Sequence, residues 1–198
     1  MSAPPLTQLE VPPEEALAIR AKVRRADPLT LGANYRLARS EHAAGLTELL
    51  VDPRVSDPIY DLPRPTTLRN ISDWIAAAQR KHADGEGLLV VMLDAAGGVC
   101  GYSCFTVWPE HSAAEIAGGY RADRQSQGEG KLGAARSFGW IFDAFGVRLI
   151  VVTAALDNLR SARVIETAGF QYMGTRLCTR ADGTSRESRY WEMHRPGE

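Results

Sequence analysis

The spacing of hydrophobic residues along the chain predicts an alternation of helices and strands. Five segments carry apolar side chains at the spacing of a helix face; they are residues 13–25, 40–52, 68–82, 129–145 and 158–168. Seven others are short and either apolar or alternating, as strands are; they are residues 34–40, 88–93, 99–108, 114–120, 148–154, 170–180 and 184–194. Turn residues at 95–98 and at Asp182-Gly183 predict two hairpins.

This order of elements predicts a mixed α/β sheet. After a first helix, the elements follow as β-α-α-β-β-β-α-β-α-β-β. We expect two parts: an N-terminal arm with a short helix at residues 1–33, which holds five of the eleven prolines, and a domain at residues 34–198. Four prolines in residues 52–65 exclude a continuous helix there, so we expect an ordered surface loop.

Composition narrows the classes of function. The 198 residues are 44% hydrophobic and 24% charged, as in one globular domain with a tail. A net charge of -1 does not indicate a nucleic-acid partner, and the apolar segments are too short to cross a membrane. The sequence begins without the pattern of a signal peptide, so we expect a cytoplasmic protein. Three cysteines and four histidines lack the spacing of metal ligands, so no metal is predicted.

The most informative segment is Gln125-Ser-Gln-Gly-Glu-Gly130, which joins a predicted strand to a helix. Its glycines lack the Cβ atoms that would keep a phosphate from the backbone amides, and a helix N-terminus adds free N–H donors. Alone, the pattern is equally typical of a tight turn. Gly128, Gly130 and Gly133 also fit a dinucleotide fingerprint, but that motif directly follows an apolar strand, whereas polar residues 121–127 intervene here.

Together with its neighbours, this segment resembles the GNAT N-acetyltransferase family. Gln125, Gly128 and Gly130 match the family's pyrophosphate loop, and Phe145-Gly146 matches the end of the helix that follows. Residues 158–170 are similar to the Asn-x-x-Ser and Glu-x-x-Gly-Phe segment of the RimJ/RimL-like branch, which acetylates protein N-terminal amines. The motifs are more specific for the family than for the branch.

The resemblance extends from residue 35 to the end of the chain and implies a fold, a reaction and partners. The fold is a GNAT-like, mostly antiparallel sheet of about seven strands with helices on both faces. The reaction moves an acetyl group from acetyl-CoA to a primary amine, which is a peptide α-amine, an antibiotic or a polyamine. No nucleic acid, membrane or metal is implied, and a homodimer stays open as one alternative.

In the family, two neighbouring strands diverge and the pantetheine arm of acetyl-CoA pairs with the backbone in the gap. A bulge at Gly118-Gly119 would suit this divergence. By motif position, the loop amides hold the pyrophosphate and Asn158 binds the pantetheine or a neighbouring water. The cofactor-binding residues that the resemblance implies are Ala117, Gly118, Gln125, Gln127, Gly128, Glu129, Gly130, Lys131, Asn158 and Ser161.

The chemistry needs a base for the proton of the amine and an acid for the leaving thiolate. Glu115 is the base candidate, although the family's Gly-Tyr pair aligns with Gly119-Tyr120 and puts Ala117 in the base position. A bulge would bring Glu115 in; otherwise it is a solvated carboxylate at a strand end. Ile165 replaces the Tyr that many family members use as the acid, so Ser161 is the acid candidate or an ordinary helix cap.

We expect the acceptor pocket between the first helix of the domain, the proline-rich loop, the turn at residues 108–111 and the final hairpin. Asp57, Tyr60 and Asp61 lie on that loop, and the two acids are candidates to anchor a cationic amine. The alternative function is a non-catalytic acyl-CoA-binding module of the same fold, which would lack a usable base.

We predict that Gly128→Val abolishes CoA binding and leaves the protein folded, because the branched side chain would occupy the approach of the phosphates. Calorimetric titration with CoA, beside a circular dichroism spectrum, checks this. Unchanged affinity in a folded variant would exclude the phosphate-loop assignment.

Overall fold

The computed structural model describes residues 4–124, 129–179 and 183–197, with the side chains of residues 124 and 129–135 left out of that description. Its described strands form one seven-stranded sheet in the order β1-β2-β3-β4-β5-β7-β6. They are β1 Tyr35–Leu37, β2 Gly87–Leu93, β3 Val99–Trp108, β4 Ala113–Tyr120, β5 Leu149–Ala155, β6 Gln171–Thr179 and β7 Ser185–His194. Neighbours are antiparallel except β4 and β5, which are parallel. The predicted mixed, mostly antiparallel sheet is confirmed.

Six α-helices of the described chain, one more than the five predicted, cover this sheet, and the predicted placement of helices on both faces is confirmed. They are α1 Pro13–Arg25, α2 Ala43–Val51, α3 Pro53–Ser56, α4 Leu68–Asp84, α5 Glu129–Phe145 and α6 Leu159–Thr167. The helices α1, α5 and α6 share one apolar core, which we call the α5 face, whereas α2, α3 and α4 pack on the other side.

Side-chain alternation along the central strands explains the two cores. In β2, Leu88 and Val90 point into the α5 face, whereas Leu89 and Val91 point into the opposite core. A strand covered on both sides has no need of polar residues, which is why this segment reads as one apolar run. The same alternation sends Phe105 of β3 to the α5 face and Tyr102 to the opposite side.

The proline-rich segment differs in part from its prediction as a loop. α2 ends at Val51, and Pro53 then begins the one-turn helix α3. The side chain of Asp52 caps it by accepting the N–H of Arg54 at 2.9 Å. Proline is tolerated in the first helical turn because its missing N–H would have no helical partner there. The remainder of the segment crosses toward α4 without a helix or strand.

The N-terminal arm is docked on the sheet. Glu192 of β7, which is 2% exposed, accepts the N–H groups of Leu6 at 2.9 Å and Thr7 at 3.2 Å. The hydroxyl groups of Thr7 and Tyr190 also donate to this carboxylate. The guanidinium of Arg176 donates to the carbonyl of Pro4 at 2.8 Å. A buried carboxylate with several donors thus fixes the path of the arm.

Low pH should weaken the attachment of the N-terminal arm to Glu192. Burial raises the pKa of Glu192, but the hydrogen bonds from Thr7, Tyr190 and Leu6 outweigh it, so the pKa lies below its usual range. A carboxyl with a depressed folded-state pKa stabilises the protein above its unfolded-state pKa and loses that contribution as pH falls through the folded-state pKa.

We predict that Glu192→Gln lowers the free energy of unfolding at pH 7 by about 1–3 kcal/mol, because a neutral amide accepts these hydrogen bonds less strongly. The difference from the wild type should shrink as pH falls below about 4. Denaturant unfolding across this pH range measures both effects. Glu187→Gln, at an exposed position of the same strand, is the control and should match the wild type. Equal stability of the Glu192 variant would contradict this role.

Candidate active site

The site lies where β4 and β5 separate. These strands pair only from Ala113 with Leu149 to Glu115 with Val151. Beyond this point, residues 116–120 and 152–155 are all described, and no ladder joins them. A cavity of about 540 Å³ opens there, lined by residues of both strands. This volume falls in the range of small-molecule sites, about 300–1,000 Å³.

The divergence does not come from a bulge in β4, so the expected bulge at Gly118-Gly119 is wrong. Gly118 pairs with Ser103 and Gly119 with Tyr102 in a register that continues unbroken along β3. Glycine is instead required by close approach, since a Cβ on Gly118 would lie 2.5 Å from the carbonyl oxygen of Tyr102. With Ala117 before it, this sequence leaves the backbone edge of β4 open to the cavity, where it can pair with an extended ligand.

Two predicted residues at the start of α6 line the opposite wall of the cavity. Asn158 caps the helix, and its Oδ1 accepts the N–H of Ser161 at 3.1 Å. The alternative that Ser161 is the cap is therefore wrong. The amide nitrogen of Asn158 makes no hydrogen bond with a described residue, so this one side chain can cap the helix and also donate to a ligand.

Glu115 lies at the vertex of the divergence. It pairs in regular register with Thr106 and Val151, and no bulge is needed to bring it in. The alternative of a solvated strand-end carboxylate is wrong, because Glu115 is only 5% exposed. Its Oε1 accepts the hydroxyl of Thr153 at 3.4 Å. It lines a second cavity of about 70 Å³. Tyr60 and Thr153 line this space and the larger cavity, so the two adjoin.

The proline-rich loop covers the side of the cavity that faces away from α5. Tyr60 is buried and Asp61 is half-buried, and both line the cavity. Asp57 is exposed and is not among the lining residues, so the structure separates the two predicted acids. The final hairpin contributes Arg186, as expected.

Two elements that we expected in the acceptor pocket do not line either described cavity. They are the first helix of the domain, α2, and the turn at residues 108–111. The short helix α3 takes the expected place of α2 through Arg54 and Val55. In the sequence, the signal for α3 is the Asp-Pro pair that caps and begins it.

Burial and charge perturb three groups on this side of the cavity. Burial raises the pKa of the Asp61 carboxyl. Burial, and then the charge of Asp61, raises the pKa of the Cys104 thiol to about 12. The same two causes raise the pKa of the Tyr102 hydroxyl well above its usual value. Cys104 and Tyr102 were missed in the sequence because they stand in a strand that reads as core.

The predicted phosphate loop lies partly within the described residues. Gln125, Gln127 and Gly128 lie outside the described residues. Helix α5 begins at Glu129, so the backbone of Glu129, Gly130 and Lys131 forms its first turn, as the motif predicts. Ser137 and Phe138 lie two turns later on α5 and line the cavity. The first turn of α5 and part of the cavity wall therefore belong to the same helix.

Two features are absent from the described ranges. No helix there is long and apolar enough to cross a membrane. No group of three or more His, Cys, Asp or Glu side chains in the same ranges is arranged to hold a metal ion.

Comparison with known proteins agrees with this architecture. The model of the acetyltransferase (GNAT) domain family matches residues 34–171. A search of curated proteins finds no match to the sequence. Among solved structures, the ribosomal-protein-S5-alanine acetyltransferase from Vibrio fischeri is similar, with a TM-score of 0.69 and 15% identity over 82% of this chain and 93% of that one.

Two further solved structures share the fold. RimJ of Mycobacterium smegmatis, in complex with a CoA disulfide, has a TM-score of 0.67 and 16% identity over 81% of this chain and 80% of that one. The yncA protein of Salmonella typhimurium, solved with acetyl-CoA, has a TM-score of 0.61 and 18% identity over 81% of this chain and 92% of that one. Because the family model covers residues 34–171, more than half of the sequence, the chain belongs to the GNAT acetyltransferase family.

Proposed function

We propose that the protein transfers an acetyl group from acetyl-CoA to a primary amine, with a peptide α-amine as the acceptor. The observation that carries this proposal is a buried carboxylate, Glu115, at the point where β4 and β5 part. A buried acid at the vertex of an open, ligand-sized gap is a costly arrangement that catalysis can explain.

The residues around the gap fit acetyl-CoA, which supplies the acetyl thioester. The open edge of β4 from Ala117 to Gly119 offers backbone N–H and C=O groups to the pantetheine. Asn158 offers its amide nitrogen from the other wall. The first turn of α5 provides free N–H groups and a positive dipole end for the pyrophosphate. The structural relatives solved with acetyl-CoA or a CoA disulfide support the same proposal.

Two side chains take the proton-transfer roles in this proposal. Glu115 accepts the proton that the amine loses, since it is buried beside the cavity and held by the hydroxyl of Thr153. Ser161, which lines the opposite wall and does not cap its helix, donates to the leaving sulfur. Ile165 lines the cavity where many family members have a tyrosine, so a serine acid is the available alternative.

The preference for an α-amine follows from its acidity. An α-amine has a pKa near 7.7–8.0 against about 10.4 for Lys, so at pH 7.5 roughly a quarter to two-fifths is neutral, compared with about one part in a thousand. A neutral amine needs less assistance from a general base. The alanine acetyltransferase among the structural relatives supports a protein or peptide acceptor.

We predict that Glu115→Gln lowers the rate with a peptide acceptor at pH 7 by about 10²-fold or more, the usual scale of general-base catalysis. The deficit should shrink as pH rises, because the amine then loses its proton unaided. Steady-state pH profiles of both proteins, with product identified by mass spectrometry, measure this. Glu48→Gln, at an exposed position on α2, is the control and should behave as wild type.

Two outcomes would contradict this role. Equal rates at pH 7, with chemistry rate-limiting, would move the base to another residue or to water. Binding of acetyl-CoA without transfer to any amine, in the wild type and across the pH range, would favour the non-catalytic binding module.

We predict that Asn158→Asp keeps the stability of the wild type but weakens CoA binding at least about tenfold, because it retains the capping oxygen and loses the donor nitrogen. Asn158→Ala should weaken binding similarly and also cost about 1 kcal/mol of stability through the lost cap. Calorimetric titration with CoA and thermal unfolding of both variants separate the two roles. If Asn158→Asp binds CoA as tightly as the wild type, Asn158 is a cap alone.

A further inference from the structure

The half of the cavity that faces away from α5 holds polar groups that acetyl transfer itself does not use. We call it the acceptor side, and it is lined by residues 58–61, Tyr102 and Arg186. It adjoins the small cavity of Glu115, since Tyr60 lines both. An amine that reaches Glu115 therefore passes next to these groups.

Asp61 is the first of them. Asp61 lines the cavity, and burial raises the pKa of its carboxyl even though a backbone hydrogen bond and the charges of Lys81 and Arg186 act to lower it. The charges of Lys81 and Arg186 therefore offset the cost of burying this carboxylate only in part. A carboxylate in an enclosed site is stabilised when a cation pairs with it. Asp57, four residues earlier on the loop, is exposed and off the cavity.

Tyr102 provides an independent observation. It lines the same side of the cavity and is 1% exposed, and its hydroxyl has no hydrogen-bond partner among the described residues. Asp61 contributes to its raised pKa, so the two groups lie within electrostatic reach of each other. A buried hydroxyl without a partner is costly and rare in native proteins. A ligand group that donates to Asp61 and contacts Tyr102 would remove this cost.

Two of the arginines that line the cavity, Arg54 and Arg186, have partners on the proline-rich segment. Arg186 donates to the carbonyls of Asp57 at 3.4 Å and Pro58 at 3.1 Å, and its guanidinium lies 5.9 Å from the centre of the Tyr60 ring. Arg54 is paired with Asp52 at 2.7 Å. The contacts of Arg186 hold the loop to the final hairpin, and Asp61 lines the cavity beside them.

Asp61 and Glu115 lie on the same side of the sheet. After burial, the charges of both acids raise the pKa of the thiol of Cys104, which is paired with Ala117 of β4. The acceptor side and the small cavity that adjoins it therefore offer one carboxylate each to an incoming molecule. One of them, Glu115, is assigned by the proposed function to the proton of the reacting amine.

From this arrangement we propose that Asp61 binds a second positively charged group of the acceptor, so that the protein prefers amines with a cationic group close to the reacting nitrogen. The inference rests on the proposed acetyl transfer and names the acceptor class within it. For a peptide acceptor, this class is an N-terminal residue with a cationic side chain. The α-amine reacts beside Glu115, and the side-chain ammonium pairs with Asp61.

Two matched peptides test the acceptor class on the wild-type protein. They share one sequence and begin with either lysine or norleucine, which lacks only the side-chain amine. We expect kcat/KM for the lysine peptide to be about tenfold higher or more, the scale of a charge-assisted hydrogen bond. The acetylated nitrogen, located by tandem mass spectrometry, should be the α-amine in both.

The variant Asp61→Asn tests the residue, because it keeps the shape and removes the charge. We expect the ratio of kcat/KM for the lysine peptide to kcat/KM for the norleucine peptide to fall close to unity, mainly through a higher KM for the lysine peptide. Asp57→Asn, on the same loop but exposed, should keep the full preference of the wild type.

The outcomes separate this inference from the function on which it rests. Transfer to both peptides with equal kcat/KM would overturn the acceptor class and leave acetyl transfer intact. A preference that survives Asp61→Asn would overturn the role of Asp61. Absence of transfer to any amine would instead contradict the proposed function. The comparison of peptides on the wild type needs no variant, so it stands even if Asp61→Asn fails to fold.

Discussion

The site depends on a constraint of strand pairing. β4 is held along its whole length by β3, and β5 is held from Leu149 to Ala155 by β7. Each strand therefore follows its own antiparallel partner, and the twist of the sheet carries the two apart after three parallel pairs. This separation leaves one backbone edge of β4 unpaired, opens the cavity and places Glu115 at its vertex. No loop rearrangement or bulge is needed to make the site.

Two acids in enclosed positions, Glu192 of the sheet and Asp61 of the proline-rich loop, differ in how far the protein compensates their charge. Glu192 accepts from two backbone N–H groups and two hydroxyl groups, and these contacts hold its pKa below the usual range. Asp61 lines a cavity and has a raised pKa. A carboxylate that is fully satisfied by the protein stabilises the fold, whereas one that burial still disfavours adds a cost that a ligand can offset. This contrast distinguishes the attachment of the arm from the acceptor side.

Local signals in the sequence were enough for the elements and the family. Hydrophobic spacing predicted the helices and strands, and the helix that starts at Pro13 ends at Arg25 as expected. The prediction lacks the short helix α3 because proline breaks a helix at most positions, although Asp52-Pro53 is a good start signal. Ser161 was a cap candidate by residue type, but the spacing of three residues from Asn158 makes Asn158 the cap.

Features of the site that depend on residues far apart in the sequence could not be predicted from local patterns. The strand divergence depends on which strands pair over their full lengths, and the ladder of β4 does not contain the bulge that its glycines predict. Alternation placed Glu115 and Ala117 on one face of the strand, but the burial of Glu115 depends on distant residues that cover that face, such as Tyr60. Tyr102 in turn could not be told from core without knowing that its hydroxyl lacks a partner.

The placement of the two proposed proton-transfer groups favours direct transfer between bound reactants. Glu115 shares its strand face with Ala113, on the side of Leu149 and Tyr190. Ser161 stands on α6, whose Ala162 and Ile165 pack in the core of the α5 face. The proposed base and acid therefore lie on opposite sides of one gap in the sheet. In the proposed reaction, the amine enters from the acceptor side beside the base and the sulfur leaves toward the other face, an arrangement that suits transfer between two reactants bound at once.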